Sequence, residues 1–158
     1  MLLPIITAAL VIIIRLALFH TGRAPEGTDF MLVHFLAIVT VVFFTGQKAL
    51  ADDRETSFPI LVRQGLRNAS LYALLIGIFL YIFYTRIDTQ EFPVKIEERL
   101  DLVVQQGGDE EKERERLETM FNPFNYASIT FFALLAVGAF NALFLAVIHH
   151  KLLRNFRR

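Results

Sequence analysis

Four long apolar runs constrain this chain more than any other feature: Leu2–Phe19, Phe30–Gly46, Asn68–Tyr84 and Tyr126–Ile148. A bilayer hydrocarbon core is about 30 Å thick and takes roughly 17–25 apolar residues per helix. The second and third runs are short, so they are expected to extend into their flanks. The pattern predicts an all-α fold, an integral membrane four-helix bundle. The bundle uses nearly the whole chain, so the expectation is one domain over 1–158. Its spans would cover about 2–19, 30–48, 58–85 and 124–150, with a charged helical hairpin over 86–123.

Composition supports the membrane class and narrows the chemistry. Hydrophobic residues make up 54% of the chain, against about 45–50% in a soluble domain. Cysteine is absent, which excludes disulfide frameworks, thiolate metal sites and cysteine catalysis. Sixteen basic and sixteen acidic residues cancel, so no global field recruits nucleic acid. The first run lacks a basic flank on its N-terminal side, carries Arg15 within it and is not followed by a small-residue cleavage site. It reads as an uncleaved first span rather than a signal peptide.

Between Thr85 and Pro123 the chain holds eleven acids and six bases. Ile96, Leu100 and Val103 recur at i, i+4 and i+7, so Val94–Gln106 reads as an amphipathic helix. Gly107-Gly108 breaks it. Asp109–Phe121 reads as a second helix, with Asp109 as N-cap and Glu110, Glu111 and Glu113 in the first turn. Asn122-Pro123 stops it. Pro59 can sit in the first turn of a helix that continues through Gly65 into the third span. That helix would have about 28 residues and measure roughly 42 Å. Tyr81, Tyr84 and Tyr126 read as an aromatic belt at interface depth.

Basic residues set the expected orientation. Lys48, Arg54, Arg63 and Arg67 share a side with Lys151, Arg154, Arg157 and Arg158, and the tail contains no acid. The opposite side carries Arg23 and the six interleaved bases of the hairpin. The raw counts nearly tie, and the uncompensated tail breaks the tie. Both termini are expected in the cytoplasm and the hairpin outside.

Several residues invite a functional reading. Arg15 is costly inside a span, about 2.5–3.5 kcal/mol at its centre. His34 lies at a similar depth from the same side, so the two could share a polar or lipid-headgroup site. The plainer reading has Arg15 reaching the interface and His34 satisfying a carbonyl. Asn141 is the deep polar residue of span four, with Thr7, Thr40 and Thr45 as possible partners and structural bonding as its expected role. Gly65, Ala69, Ala73 and Gly77 recur every four residues, as do Gly138, Ala142 and Ala146, and such small-residue seams let helices approach closely. Lys151, Arg154, Arg157 and Arg158 form a juxtamembrane cluster suited to anionic lipid. His149 and His150 point about 100° apart on a helix and read as interface residues, and Asn68 reads as a helix cap. The Glu110–Glu118 run reads as a solvated, salt-bridged face.

No phosphate loop, nucleophile elbow, metal-ligand pair or acid within a span is present. No catalytic residue, metal or cofactor is therefore expected. Thr45-Gly46-Gln47-Lys48 closing span two, Phe58 with Gly65, Tyr81-Ile82-Phe83-Tyr84, the acidic excursion and Phe121-Asn122-Pro123 resemble the DUF4199 family of small Bacteroidota membrane proteins. The likeness covers about two thirds of the chain. It implies a four-span bacterial inner-membrane protein and no catalytic residues. It also makes a link to envelope glycolipid metabolism conceivable by analogy. The expected function is a non-enzymatic accessory or scaffold subunit of a larger membrane complex, with other membrane subunits and lipids as partners. The alternative is a small transporter, channel or lipid-binding protein using Arg15, His34 and Asn141.

Overall fold

The computed structural model describes residues 2–22 and 27–153, with the side chains of 27–29 left aside. The described residues are all-helical, without a strand: α1 Leu2–His20, α2 Gly27–Asp52, α3 Phe58–Arg86, α4 Glu91–Gln105, α5 Glu110–Met120 and α6 Pro123–Ile148, followed by a π-helical turn His149–Leu153. Helices α1, α2, α3 and α6 are long and apolar enough to cross a membrane. The chain divides into two compact units, one built from 1–76 and 131–158 and the other from 77–130.

In the first unit α1 packs along α2. Pro4, Ala8 and Val11 are its buried residues, a single i, i+4, i+7 stripe. Leu10 and Ile13 on its other faces are more than half exposed. An amphipathic helix in water would bury such residues, and a helix whose neighbour is lipid has no need to. Helix α2 buries a much wider face, from Phe30 through Ile38, Val41 and Val42 to Leu50. Helix α3 begins at Phe58, with Pro59 in its first turn, where the missing N–H costs nothing. The Thr56 hydroxyl donates to the carbonyls of Asp53 (2.6 Å) and Ala49 (3.3 Å), which closes the end of α2. Ala49, Leu50, Leu61 and Ala146 form a small core there, with Phe58 and Val62 against it.

The second unit has a core of aromatic rings. Tyr84 packs against Phe92 and Tyr126 at centroid distances of 4.8 and 5.1 Å, and Phe92 lies 5.8 Å from Tyr126. Tyr84 is 4% exposed whereas Tyr81 is 47% exposed. Tyr84, expected in an exposed aromatic belt, is therefore a core residue, and Tyr81 is exposed. Helix α4 buries Phe92, Ile96 and Leu100, a strict i, i+4, i+8 line. Val103, expected on that face, lies instead under the turn. A Cβ on Gly108 would come 2.4 Å from its Cγ1, and Gly107 has φ +76°. The Gly107 N–H donates to Val104 O and the Gly108 N–H to Val103 O. This pair of bonds is a Schellman stop, in which a left-handed residue follows the helix. Both glycines are needed, one for its φ and one for space.

Helix α5 follows at once. The Asp109 side chain accepts from the Lys112 N–H at 3.2 Å, and Glu110, Glu111 and Glu113 occupy the first turn, where the helix dipole favours acids. At the far end Asn122 serves two helices. Its Nδ2 donates to the Thr119 carbonyl of α5 at 2.8 Å, and its Oδ1 accepts from the Asn125 N–H of α6 at 2.9 Å. Asn122 is therefore the N-cap of α6, with Pro123 at the first helical position.

Candidate functional site

The polar residues of the first unit form three groups. The first lies around Phe30. The Arg15 guanidinium sits over the Phe30 ring, 4.9 Å from its centroid, a cation–π geometry. Phe30 in turn meets the His34 ring edge-on at 5.2 Å. His34 Nδ1 and the Tyr72 hydroxyl are 2.7 Å apart, and both residues are buried. Arg15 and His34 thus belong to one cluster, bridged by an aromatic ring and completed by Tyr72 from α3. Tyr72 carries no motif in the sequence. Only the alignment of α2 against α3 brings it to His34.

The second group joins α2 to α3 lower in the unit. Asn68 Nδ2 donates to Thr45 Oγ1 at 2.8 Å, and Thr45 Oγ1 donates to Val41 O at 2.7 Å. Asn68 lies ten residues into α3 and caps nothing, a correction that follows from the helix starting at Phe58. Asn141, one turn from Gly138, donates to Val137 O of its own helix at 2.9 Å. Its bond is thus intrahelical rather than to Thr7, Thr40 or Thr45.

The third group is the end of α6. His149 is 1% exposed, not an interfacial residue. Its Nδ1 pairs with Leu145 O at 2.6 Å, and its ring lies 5.2 Å from that of Phe43. The imidazole covers Gly46 so closely that a Cβ there would come 2.7–2.8 Å from three ring atoms. Among the described residues Nε2 has no hydrogen-bond partner. The π-turn that begins at this residue shifts the helix register, so that His149 is buried while Lys151 and Leu152 are exposed. His150 meets the Phe58 ring edge-on at 6.2 Å. Arg154, Arg157 and Arg158 lie outside the described residues.

Small residues govern the approach of α3 to α6 in this unit. A Cβ on Gly138 would come 2.7 Å from the Ala69 Cβ, and one on Gly65 would come 3.2 Å from the Ala142 Cβ and 3.1 Å from Val42 Cγ1. Ala69 and Ala73 are fully buried, and Ala142 and Ala146 nearly so. Gly77 belongs to the second unit, where it is buried.

The second unit carries the charge. Arg114 of α5 forks onto Glu97 of α4, with NH1–Oε1 at 2.6 Å and NH2–Oε2 at 3.3 Å, and also reaches Glu110 at 3.2 Å. The Arg114 hydrogen bond, with its positive charge, holds the Glu97 carboxyl below the ordinary carboxylate value. The same bonds to Glu97 and Glu110 push Arg114 above its ordinary value. Lys95 pairs with Glu91, and Arg116 with Glu113 at 3.3 Å. A cavity of about 370 Å³ lies under the hairpin, with Phe92, Ile96, Glu97, Arg114 and Phe121 among its walls. Helix α5 buries none of its eleven residues. Among the described residues no three His, Asp or Glu side chains converge as metal ligands would.

No family model, curated protein or solved structure matches this chain.

Proposed function

We propose that this chain is a four-span bacterial inner-membrane protein that acts as a non-enzymatic accessory subunit, with the α4–α5 hairpin as its docking surface. The observation that carries the reading is α5. Helix α5 has two apolar residues, Leu117 and Met120, and buries none of its side chains. So polar a helix is stable only through its ion pairs or through a partner, and the Arg114–Glu97 fork that ties it to α4 is exposed. The charges of Glu111, Lys112 and Glu115 are exposed. The membrane part of the reading is supported by four apolar helices that leave Met31, Phe132 and Phe140 more than 60% exposed. Soluble monomers rarely leave so many large apolar side chains outside.

The test is purification from a native source in mild detergent. A stoichiometric heterologous membrane subunit should accompany the wild-type chain and be lost from a Lys112→Glu/Arg116→Glu variant. A clean monomer or homo-oligomer would overturn the docking reading. Orientation is tested separately, because the chain lacks cysteine and one introduced thiol is a unique label. In intact cells, Gln106→Cys should react with an impermeant maleimide and Lys151→Cys should not.

A further inference from the structure

One cavity of the first unit has an arrangement that the accessory reading does not use. It encloses about 560 Å³ among the start of α1, the end of α2 and the first half of α3, within the roughly 300–1,000 Å³ of ligand sites. Its walls change character in a definite order. On α2, Phe44, Lys48 and Asp52 line it at i, i+4 and i+8, a stripe that goes from apolar to cationic to anionic in steps of about 6 Å. On α1 the lining is apolar, Leu2 and Ile6, both exposed. On α3 it is polar, with Arg67 and Asn68, and the Asn68–Thr45 hydrogen bond anchors the floor.

We infer that this groove binds one anionic phospholipid, with the phosphate between Lys48 and Arg67 and the acyl chains along Ile6 and Phe44. Two cations and one carboxylate leave the walls with a single excess positive charge, which one monoanionic phosphodiester neutralises. A zwitterionic headgroup carries no net charge to neutralise that excess. The amides of Gln64 and Asn68 offer donors and acceptors to headgroup hydroxyls. Lys48 and Arg67 are exposed, so lipid reaches them without unfolding the unit. The inference rests on the membrane reading and is independent of the docking role of α5. It rests on Lys48 and Arg67 and not on the basic residues of the C-terminal tail.

The experiment is native mass spectrometry of the full chain in detergent, titrated with phosphatidylglycerol, phosphatidylcholine or glycerol phosphate. One phosphatidylglycerol should bind in clear preference to phosphatidylcholine. A phosphate-facing cation near a membrane surface is worth about five-fold in affinity. Lys48→Gln should therefore lose about five-fold, and Lys48→Gln/Arg67→Gln about twenty-five-fold, by the same arithmetic. Arg63→Gln removes a nearby exposed cation outside the cavity and should change little. Ile6→Asn should weaken the lipid while leaving glycerol phosphate unchanged. Circular dichroism identifies any variant that fails to fold, and the single Lys48→Gln variant then decides.

Equal binding of both lipids, full retention in Lys48→Gln, or an equal loss in Arg63→Gln would overturn the inference. Glycerol phosphate binding as tightly as phosphatidylglycerol would overturn the lipid assignment in favour of a soluble phosphate. Carbonate washing of native membranes separates the two levels. A chain that stays with the membrane but lacks lipid preference refutes the groove alone, whereas a chain that is extracted refutes the membrane reading as well.

Discussion

The α3–α6 contact of the first unit and the α4–α5 hairpin of the second are both antiparallel helix pairs, held by opposite means. In the first, the Gly138 backbone approaches Ala69 so closely that a single added carbon has no room. Attraction there is dispersion between surfaces in contact, the sort of packing that associates helices in lipid, where there is no hydrophobic gain between them. In the second, α5 has no buried side chain and meets α4 through a guanidinium and a carboxylate exposed to solvent. Such pairs contribute little and weaken with salt. One pair therefore depends on shape and tolerates no added volume. The other depends on charge and tolerates almost any outward-facing side chain.

Substitutions can break this contrast in graded steps. The largest effect is expected at Gly138→Leu, where the new side chain meets a Cβ that cannot rotate away. Overpacking of this kind costs about 3 kcal/mol, read as a fall in thermal stability in detergent. A Gly138→Ala variant should lose less, and adding Ala69→Gly to it should recover most of the loss, since the two sites share one contact. If Gly138→Leu melts like the wild type, the close approach contributes nothing.

Next is Gly46→Ala, expected to cost about 1–3 kcal/mol, because the imidazole of His149 must move and its bond to Leu145 O with it. His149→Ala should relieve the clash, so the double variant should melt above Gly46→Ala alone.

A smaller loss, about 1 kcal/mol, is expected for Gly107→Ala, whose φ of +76° a Cβ opposes. It should appear as faster amide exchange in α4 and α5.

The smallest effect is expected at Glu97→Gln. The folded Glu97 carboxyl ionises below the ordinary value of 4.5, so its contribution is present above that pH and is lost as pH falls through the lowered value. Between wild type and variant the hairpin should differ slightly at neutral pH and low salt, and not at all in strong acid or high salt. A large difference at high salt would mean that the hairpin is held by more than charge.

What could be read in the sequence follows the range of each interaction. The apolar runs marked all four long helices, because helix formation in lipid is settled within one segment. Pro59, Gly107-Gly108 and Asp109 marked helix starts and stops, since caps act over about four residues. The register of one helix against another is different, because it depends on contacts that no local spacing encodes. Tyr72 beside His34, and His149 over Gly46, became visible only with α2 aligned against its neighbours. His149 also misled because it adjoins a basic tail, and because the π-turn that buries it breaks the 3.6-residue period by which its face would be judged. Asn141 misled for a simpler reason, as its partner is one turn away in its own helix.

The contact between Gly46 and His149 also bears on descent. The two positions lie 103 residues apart, yet they fill one volume, which an imidazole occupies only because the opposite residue has no side chain. Related chains should therefore vary at these positions jointly. Where 46 gains a methyl or more, 149 should become small, and where 149 keeps an imidazole or larger ring, 46 should remain glycine. That paired substitution would be a signature of this fold, traceable in diverged sequences even where the apolar runs have changed every other letter.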